Sequence, residues 1–154
     1  MIAYTLTLQR PLKVDYNILL HKLKNLGING KTLRWIQNFL QDRVQRVVVN
    51  GMLSTPHQVI SGVPQGSVLG PLLFLVLIGD IDDGVLHSLI ASFADDTRAT
   101  KGIKTELDAA ELQNDLFRIY DWSQKNNMQF NTLKFELMRY GNNNELKEST
   151  TYIT

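Results

Sequence analysis

Cysteine is absent from the 154 residues. That excludes a disulfide framework and any thiolate metal site, and leaves the redox compartment unread. Histidine occurs at positions 21, 57 and 87 only, and no two have the spacing of a metal-binding pair. Long apolar runs are also missing. The most apolar stretch, residues 68–78, is interrupted by Gly70 and Pro71 and is too short to cross a bilayer. The first residues lack early basic groups and hold Tyr4, Thr5 and Thr7, so no secretory leader is expected. Without a leader or a span, an intracellular setting with no membrane partner is expected. No internal repeat is present, and Asn142-Asn143-Asn144 is the only low-complexity run.

What remains is ordinary globular material. Hydrophobic residues make up 44% of the chain, enough for one core, and the length fits one domain. The net charge of +1 hides an asymmetry. Residues 1–50 hold eight Lys/Arg against Asp15 and Asp42, a balance of +6. Residues 51–154 hold eight against thirteen Asp/Glu, a balance of −5. Such a basic half suits a phosphate backbone; a pair of solvated basic helices is the alternative.

Residues 1–8 alternate loosely and predict an extended segment, with Pro11 breaking any helix there. Asp15 is a natural N-cap for a helix with Leu19, Leu23 and Leu26 on one face, ended by Gly27. Asn29 opens a second helix with Leu33, Ile36 and Leu40 inward. Lys31, Arg34 and Arg43 occupy its other faces, with Trp35 and Phe39 between them. For Trp35 the general burial of aromatics favours a core position over a base-stacking platform. Residues 44–49 and 54–60 form a hairpin about Asn50-Gly51, the favoured type I′ pair. Residues 61–67 are a loop bounded by Gly62 and Gly66. Residues 68–81 read as a buried helix with Pro71 in its first turn, followed by Asp80, Asp82 and Asp83 as solvated loop acids. His87 has no evident partner. Thr105 caps a long helix whose buried stripe is Ala109, Leu112, Leu116, Ile119 and Ser123, flanked by Phe117 and Trp122. Glu106, Asp108, Glu111 and Asp115 point outward. Asn126-Asn127 marks the turn out, residues 130–140 are expected to be extended, and residues 142–154 are polar and expected to fray.

The chemistry gathers at Ser92-Phe93-Ala94-Asp95-Asp96-Thr97. A β-type run on each side predicts a tight hairpin with both acids at or beside its tip. Two carboxylates held close repel each other, and a divalent cation is the usual reason to place them so; a solvated surface pair is the alternative. Upstream stands Ser61-Gly62-Val63-Pro64-Gln65-Gly66-Ser67-Val68-Leu69-Gly70-Pro71-Leu72-Leu73-Phe74. That string followed by Phe93-Ala94-Asp95-Asp96 resembles the palm of a reverse transcriptase of the non-LTR retrotransposon type. Residues 15–30, 35–51 and 128–141 resemble the neighbouring segments, so the likeness covers about residues 13–141.

The resemblance implies an α+β fold: a palm-like antiparallel sheet with helices packed on one face. It implies an RNA-directed DNA polymerase, acting on an RNA template, a DNA primer and a deoxynucleoside triphosphate. In such enzymes two divalent ions, Mg²⁺ or Mn²⁺, activate the primer hydroxyl and neutralise the triphosphate. Asp95 and Asp96 would be catalytic metal ligands. Gln65 and Gly66 would border the nascent base pair, and Lys134 would lie near the triphosphate. A third aspartate comes from a motif of the form Ala-Phe-Asp-x-Val. Here that motif reads Arg10-Pro11-Leu12-Lys13-Val14, which places Leu12 at the ligand position, and an isobutyl group cannot hold a cation. Asp15 is expected to serve as a helix cap, not a substitute. Residues upstream of Lys13 are expected to be foreign to the domain, and fingers and thumb to be largely missing. The chain is therefore expected to be a single partial palm with weakened metal binding that is inactive alone. The alternatives are a live enzyme completed by Asp15 or other chains, and a non-catalytic module that binds nucleic acid or protein through its basic half.

Overall fold

β1 (Ile2–Thr7) is the strand about which the terminal segments assemble. The computed structural model describes residues 1–9 and 13–140, and the chain divides into two compact units, Met1–Arg10 with Ile81–Thr154, and Pro11–Asp80. In the first unit β1 lies inside a four-stranded antiparallel sheet of order β6-β7-β1-β8, with β6 (Leu89–Phe93), β7 (Asp96–Lys101) and β8 (Glu136–Arg139). Tyr4 faces Ala99 on β7 and Leu137 on β8; Leu6 faces Thr97. These pairs share one face of the sheet, and Tyr4, Leu6, Thr97 and Ala99 are buried. Residues 1–9, expected to be foreign to the domain, supply an interior strand of this sheet. Ile, Tyr and Thr suit such a pleated surface.

α4 (Glu106–Lys125) packs alongside this sheet. A reciprocal capping box starts it. Thr105 Oγ1 accepts the Asp108 amide at 3.2 Å, and Asp108 accepts the Thr105 amide at 2.8 Å. The Lys104 amide, with the Thr105 hydroxyl and amide, holds the Asp108 carboxyl below its ordinary pKa. Leu112, Leu116, Ile119 and Ser123 are buried as their spacing predicts. Asp115 overturns its expected outward position, because it is fully buried. It accepts the amides of Leu86 and His87 at 3.1 and 2.9 Å and pairs with Arg118 at 3.1 Å. Its carboxylate satisfies backbone donors of the loop entering β6, which outweighs its helical register. His87, expected to stand alone, has Nδ1 3.6 Å from the Glu111 carboxylate, which Lys101 also approaches at 2.7 Å.

The second unit contains α1 (Tyr16–Asn25), α2 (Gly30–Leu40) and α3 (Leu69–Ile78). Asp15 caps α1, accepting the amides of Asn17 and Ile18. Lys22 on α1 donates to the Leu77 carbonyl at the C-terminal end of α3, where a cation is favoured. It also pairs with Asp80, so Asp80 is not merely a solvated acid. The predicted hairpin forms as two short ladders. β3 (Val48–Val49) pairs with β4 (Met52–Leu53) about Asn50-Gly51, both with positive φ as a type I′ turn requires. β2 (Arg43–Gln45) pairs with β5 (His57–Val59). Arg43 reaches the carbonyls of Leu40 and Gly62 and the Tyr16 hydroxyl. This cation is therefore a clamp inside its unit.

Trp35 corrects a second expectation. Its residue surface is 59% exposed. Ile36 and Leu40 are buried and Leu33 is half-buried, whereas Trp35 lies on the opposite arc with Lys31 and Arg34. The amphipathic phase of the whole helix overrides the burial tendency of one ring. Among the described residues no helix is long and apolar enough to cross a membrane. Leu12, Pro11 and residues 142–154 lie outside the described residues.

Candidate active site

Phe93 on β6 pairs with Asp96 on β7, so Ala94 and Asp95 are the two loop residues of the hairpin. Ala94 has φ +53°. A side chain in this region costs about 1–2 kcal/mol, and glycine is the usual occupant. Asp95 is buried, and its carbonyl accepts the Leu8 amide at 2.9 Å. Asp96 opens β7 and is exposed. Its Oδ1 accepts the Thr7 hydroxyl at 2.6 Å, and Thr7 is its cross-strand partner on β1. The adjacent acids thus differ in environment although both belong to the expected hairpin.

Thr7 extends the site in the other direction. Its carbonyl accepts the Asn131 amide at 2.7 Å. Asn131 then opens the 3₁₀ turn Thr132–Lys134, accepting the Leu133 amide through its side chain at 3.1 Å. Phe130 and Phe135 meet edge to face across this turn, centroids 6.2 Å apart. Lys134 is exposed at the end of this turn, before β8 begins at Glu136, and not within one continuous extended segment as expected. Asp96, Thr7 and the Lys134 turn are therefore joined by two hydrogen bonds within one unit. Sequence reasoning missed Thr7 and Asn131. The alternation of residues 1–8 signals a strand, but nothing in it signals which strand it would join.

Gln65 and Gly66 belong to the second unit. They are the central residues of a turn closed from Ser67 to the Pro64 carbonyl, by the hydroxyl at 2.7 Å and the amide at 3.4 Å. Gly66 has φ +78°, the value position i+2 of a type II turn demands. Gln65 is exposed, with a donor and an acceptor for any ligand. The Ser67 hydroxyl then accepts the Gly70 amide at 3.0 Å and so starts α3. A Cβ on Gly70 would stand 2.7 Å from the Pro64 carbonyl oxygen, so the close approach requires glycine. The Pro-Gln-Gly string is thus a turn and helix start that leaves the Gln65 side chain exposed.

The family model for reverse transcriptase (RNA-dependent DNA polymerase) matches residues 12–153. The chain belongs to the reverse transcriptase family. It is 38% identical over 104 residues to the Drosophila melanogaster protein "Probable RNA-directed DNA polymerase from transposon X-element", which covers 64% of the chain and 12% of that relative. It is 33% identical over 115 residues to the Drosophila melanogaster "RNA-directed DNA polymerase from mobile element jockey", covering 70% of the chain and 13% of the relative. A jockey protein of Drosophila funebris is 32% identical over 124 residues, 75% of the chain and 13% of that protein. The chain thus spans about an eighth of the length of these relatives.

Reverse transcriptases as a family use divalent ions, and the donor set here is small. Among the described residues no group of three or more His, Cys, Asp or Glu could hold a metal ion. β1, the strand joined to the acidic hairpin, carries no carboxylate from Met1 to Gln9.

Proposed function

We propose that this chain is the palm segment of a retroelement RNA-directed DNA polymerase and that it does not polymerise alone. The observation that carries this reading is the pairing of Asp96 with Thr7. A third ligand for ions held at Asp95 and Asp96 would have to approach the hairpin. Thr7, the side chain hydrogen-bonded to Asp96, is a hydroxyl and adds no carboxylate oxygen to the hairpin. By motif register the aspartate expected of the family is replaced by Leu12. Asp15 is committed as the cap of α1, which supports reading it as a structural residue.

Within the intact polymerase we assign Asp95 and Asp96 as metal ligands, Gln65 and Gly66 as the border of the nascent base pair, and Lys134 as a triphosphate contact. RNA template, DNA primer and deoxynucleoside triphosphate are the corresponding partners. Fingers and thumb would come from protein beyond this palm. The alternative of a non-catalytic nucleic-acid module draws its support from the exposed cations of α2.

The test is a Mn²⁺ titration of the chain, read by paramagnetic broadening of proton resonances. The expected result is weak binding lost in Asp95→Ala. Thr7→Asp should tighten binding by about tenfold or more, since each added carboxylate supplies charge and oxygen ligands. Leu12→Asp tests the motif register in the same way. Tight binding of two ions by the unchanged chain would overturn the reading.

A further inference from the structure

We propose that β3 pairs edge to edge with β3 of a second copy of this chain, so that two hairpins join into one four-stranded antiparallel sheet. β3 and β4 form a two-stranded sheet of their own, in the register Val48↔Leu53 and Val49↔Met52. Val47 continues the ribbon. Its carbonyl accepts the Ser54 amide and its amide donates to the Ser54 hydroxyl, both at 2.9 Å. Both backbone groups of Val47 therefore point to the β4 side. Such groups alternate along an antiparallel strand, so the amide and carbonyl of Val48 point to the open edge. A lone two-stranded ribbon is marginal in water, and three or more strands with an apolar face are needed for stability. This ribbon carries Val47, Val48, Val49, Met52 and Leu53, and all five are exposed.

Three observations select a second copy as the occupant. Val47, Val48 and Val49 include neither charge nor proline, the devices that ordinarily protect an edge strand. The sequence about Val48 is also self-complementary. An antiparallel pairing centred on Val48 sets that residue against its own copy, where the two outward amides and carbonyls exchange N–H···O bonds. Each Val47 then meets a Val49 on the same face, and Arg46 meets Asn50. The cations nearest the edge are thus kept from facing each other, as cross-strand pairing favours. The opposite edge of the ribbon is closed to the same pairing. β4 runs into Pro56 three residues after Leu53, and proline has no amide to donate. Association through β3 therefore stops at two copies related by a two-fold axis. An unrelated strand would fill the edge without needing this symmetric sequence.

Pairing of this kind needs neither metal, nucleic acid nor triphosphate, so its failure and a failure of the polymerase reading are separate results. The full chain is followed by sedimentation velocity over a range of protein concentrations. The expected result is a reversible shift from 17.5 kDa to twice that mass. Val48→Lys and Val48→Glu each put like charges on the two-fold axis and should weaken the dimer about tenfold or more. An equimolar mixture of the two should restore association, because opposite charges then meet. Mixing would not rescue a ribbon merely unfolded by the charge, which keeps the two explanations apart. Val48→Pro removes an amide that the hairpin itself does not use, and should leave the chain monomeric. The chain has no cysteine, so single thiols read the register directly. Oxidation should cross-link Val48→Cys, whose copies face each other within disulfide reach, and not Leu53→Cys on the far strand. A chain that is monomeric at every concentration would overturn the proposal. So would open-ended assemblies, a dimer undiminished in Val48→Lys or Val48→Pro, a mixture that associates no better than either variant, or cross-linking through Leu53→Cys instead of Val48→Cys.

Discussion

Asp115 shows how a single residue can reverse its apparent role. On a helical wheel it belongs with the acids of α4 that meet water, yet it is fully buried and holds the loop of Leu86 and His87. Burial pushes its carboxyl up, and the amides of Leu86 and His87 bring it below the ordinary value in spite of that. Asp115→Ala should cost about 3 kcal/mol in chemical denaturation, because two buried amides lose their acceptor. The sign of the pH dependence follows from the lowered pKa. The contribution is complete above the unfolded value near ~3.9 and is lost as pH falls through the lower folded value. Asp115→Asn should remove that acid-limb loss from the stability curve; an unchanged curve would contradict the assignment. Gly70 was legible as part of a motif but not as a contact. Its hydrogen faces the Pro64 carbonyl, and Gly70→Ala should destabilise by about 1–3 kcal/mol through forced displacement of that turn. A neutral Gly70→Ala in thermal melts would mean the turn yields freely.

At the scale of elements, local signals carried well where caps and turns decide. Asp15 and Thr105 start their helices, and Asn50-Gly51 turns its hairpin. Each of those outcomes depends on atoms a few residues apart. β1 was faintly legible because its alternation is real, but its central place depends on pairing with residues nearly a hundred positions away. Trp35 was misread for a related reason: burial is a property of the helix phase and not of the ring. The acidic hairpin was read in outline, and its strain was not. Ala94 at φ +53° predicts that Ala94→Gly stabilises the unit. Relief of about 1–2 kcal/mol is partly offset by the greater freedom of glycine when unfolded, about 0.4–1 kcal/mol. The net gain of about 0.5–1 kcal/mol should appear as a raised denaturation midpoint, and a lowered midpoint would show that Ala94 is unstrained.

For the whole molecule, family membership and catalytic competence are separate questions. Membership rests on a match across residues 12–153, and the palm-like sheet, the acidic hairpin and the Pro-Gln-Gly turn were all legible as a joint pattern. Competence depends on which oxygens reach the hairpin, and the residue touching Asp96 is Thr7. Losing one preorganised group that stabilises transition-state charge typically costs on the order of 10²–10³ in rate. The loss of duplex and triphosphate positioning costs more, since positioning supplies about 7–11 kcal/mol of such barriers. Thr7→Asp or Leu12→Asp should thus gain metal affinity before it gains turnover. The most direct measurement is primer extension on an RNA template by the 154-residue chain with Mg²⁺ or Mn²⁺, run beside Asp95→Ala. The account predicts no extension by either protein. Robust extension by the unchanged chain, abolished by Asp95→Ala, would show that another acid completes the site and would contradict it.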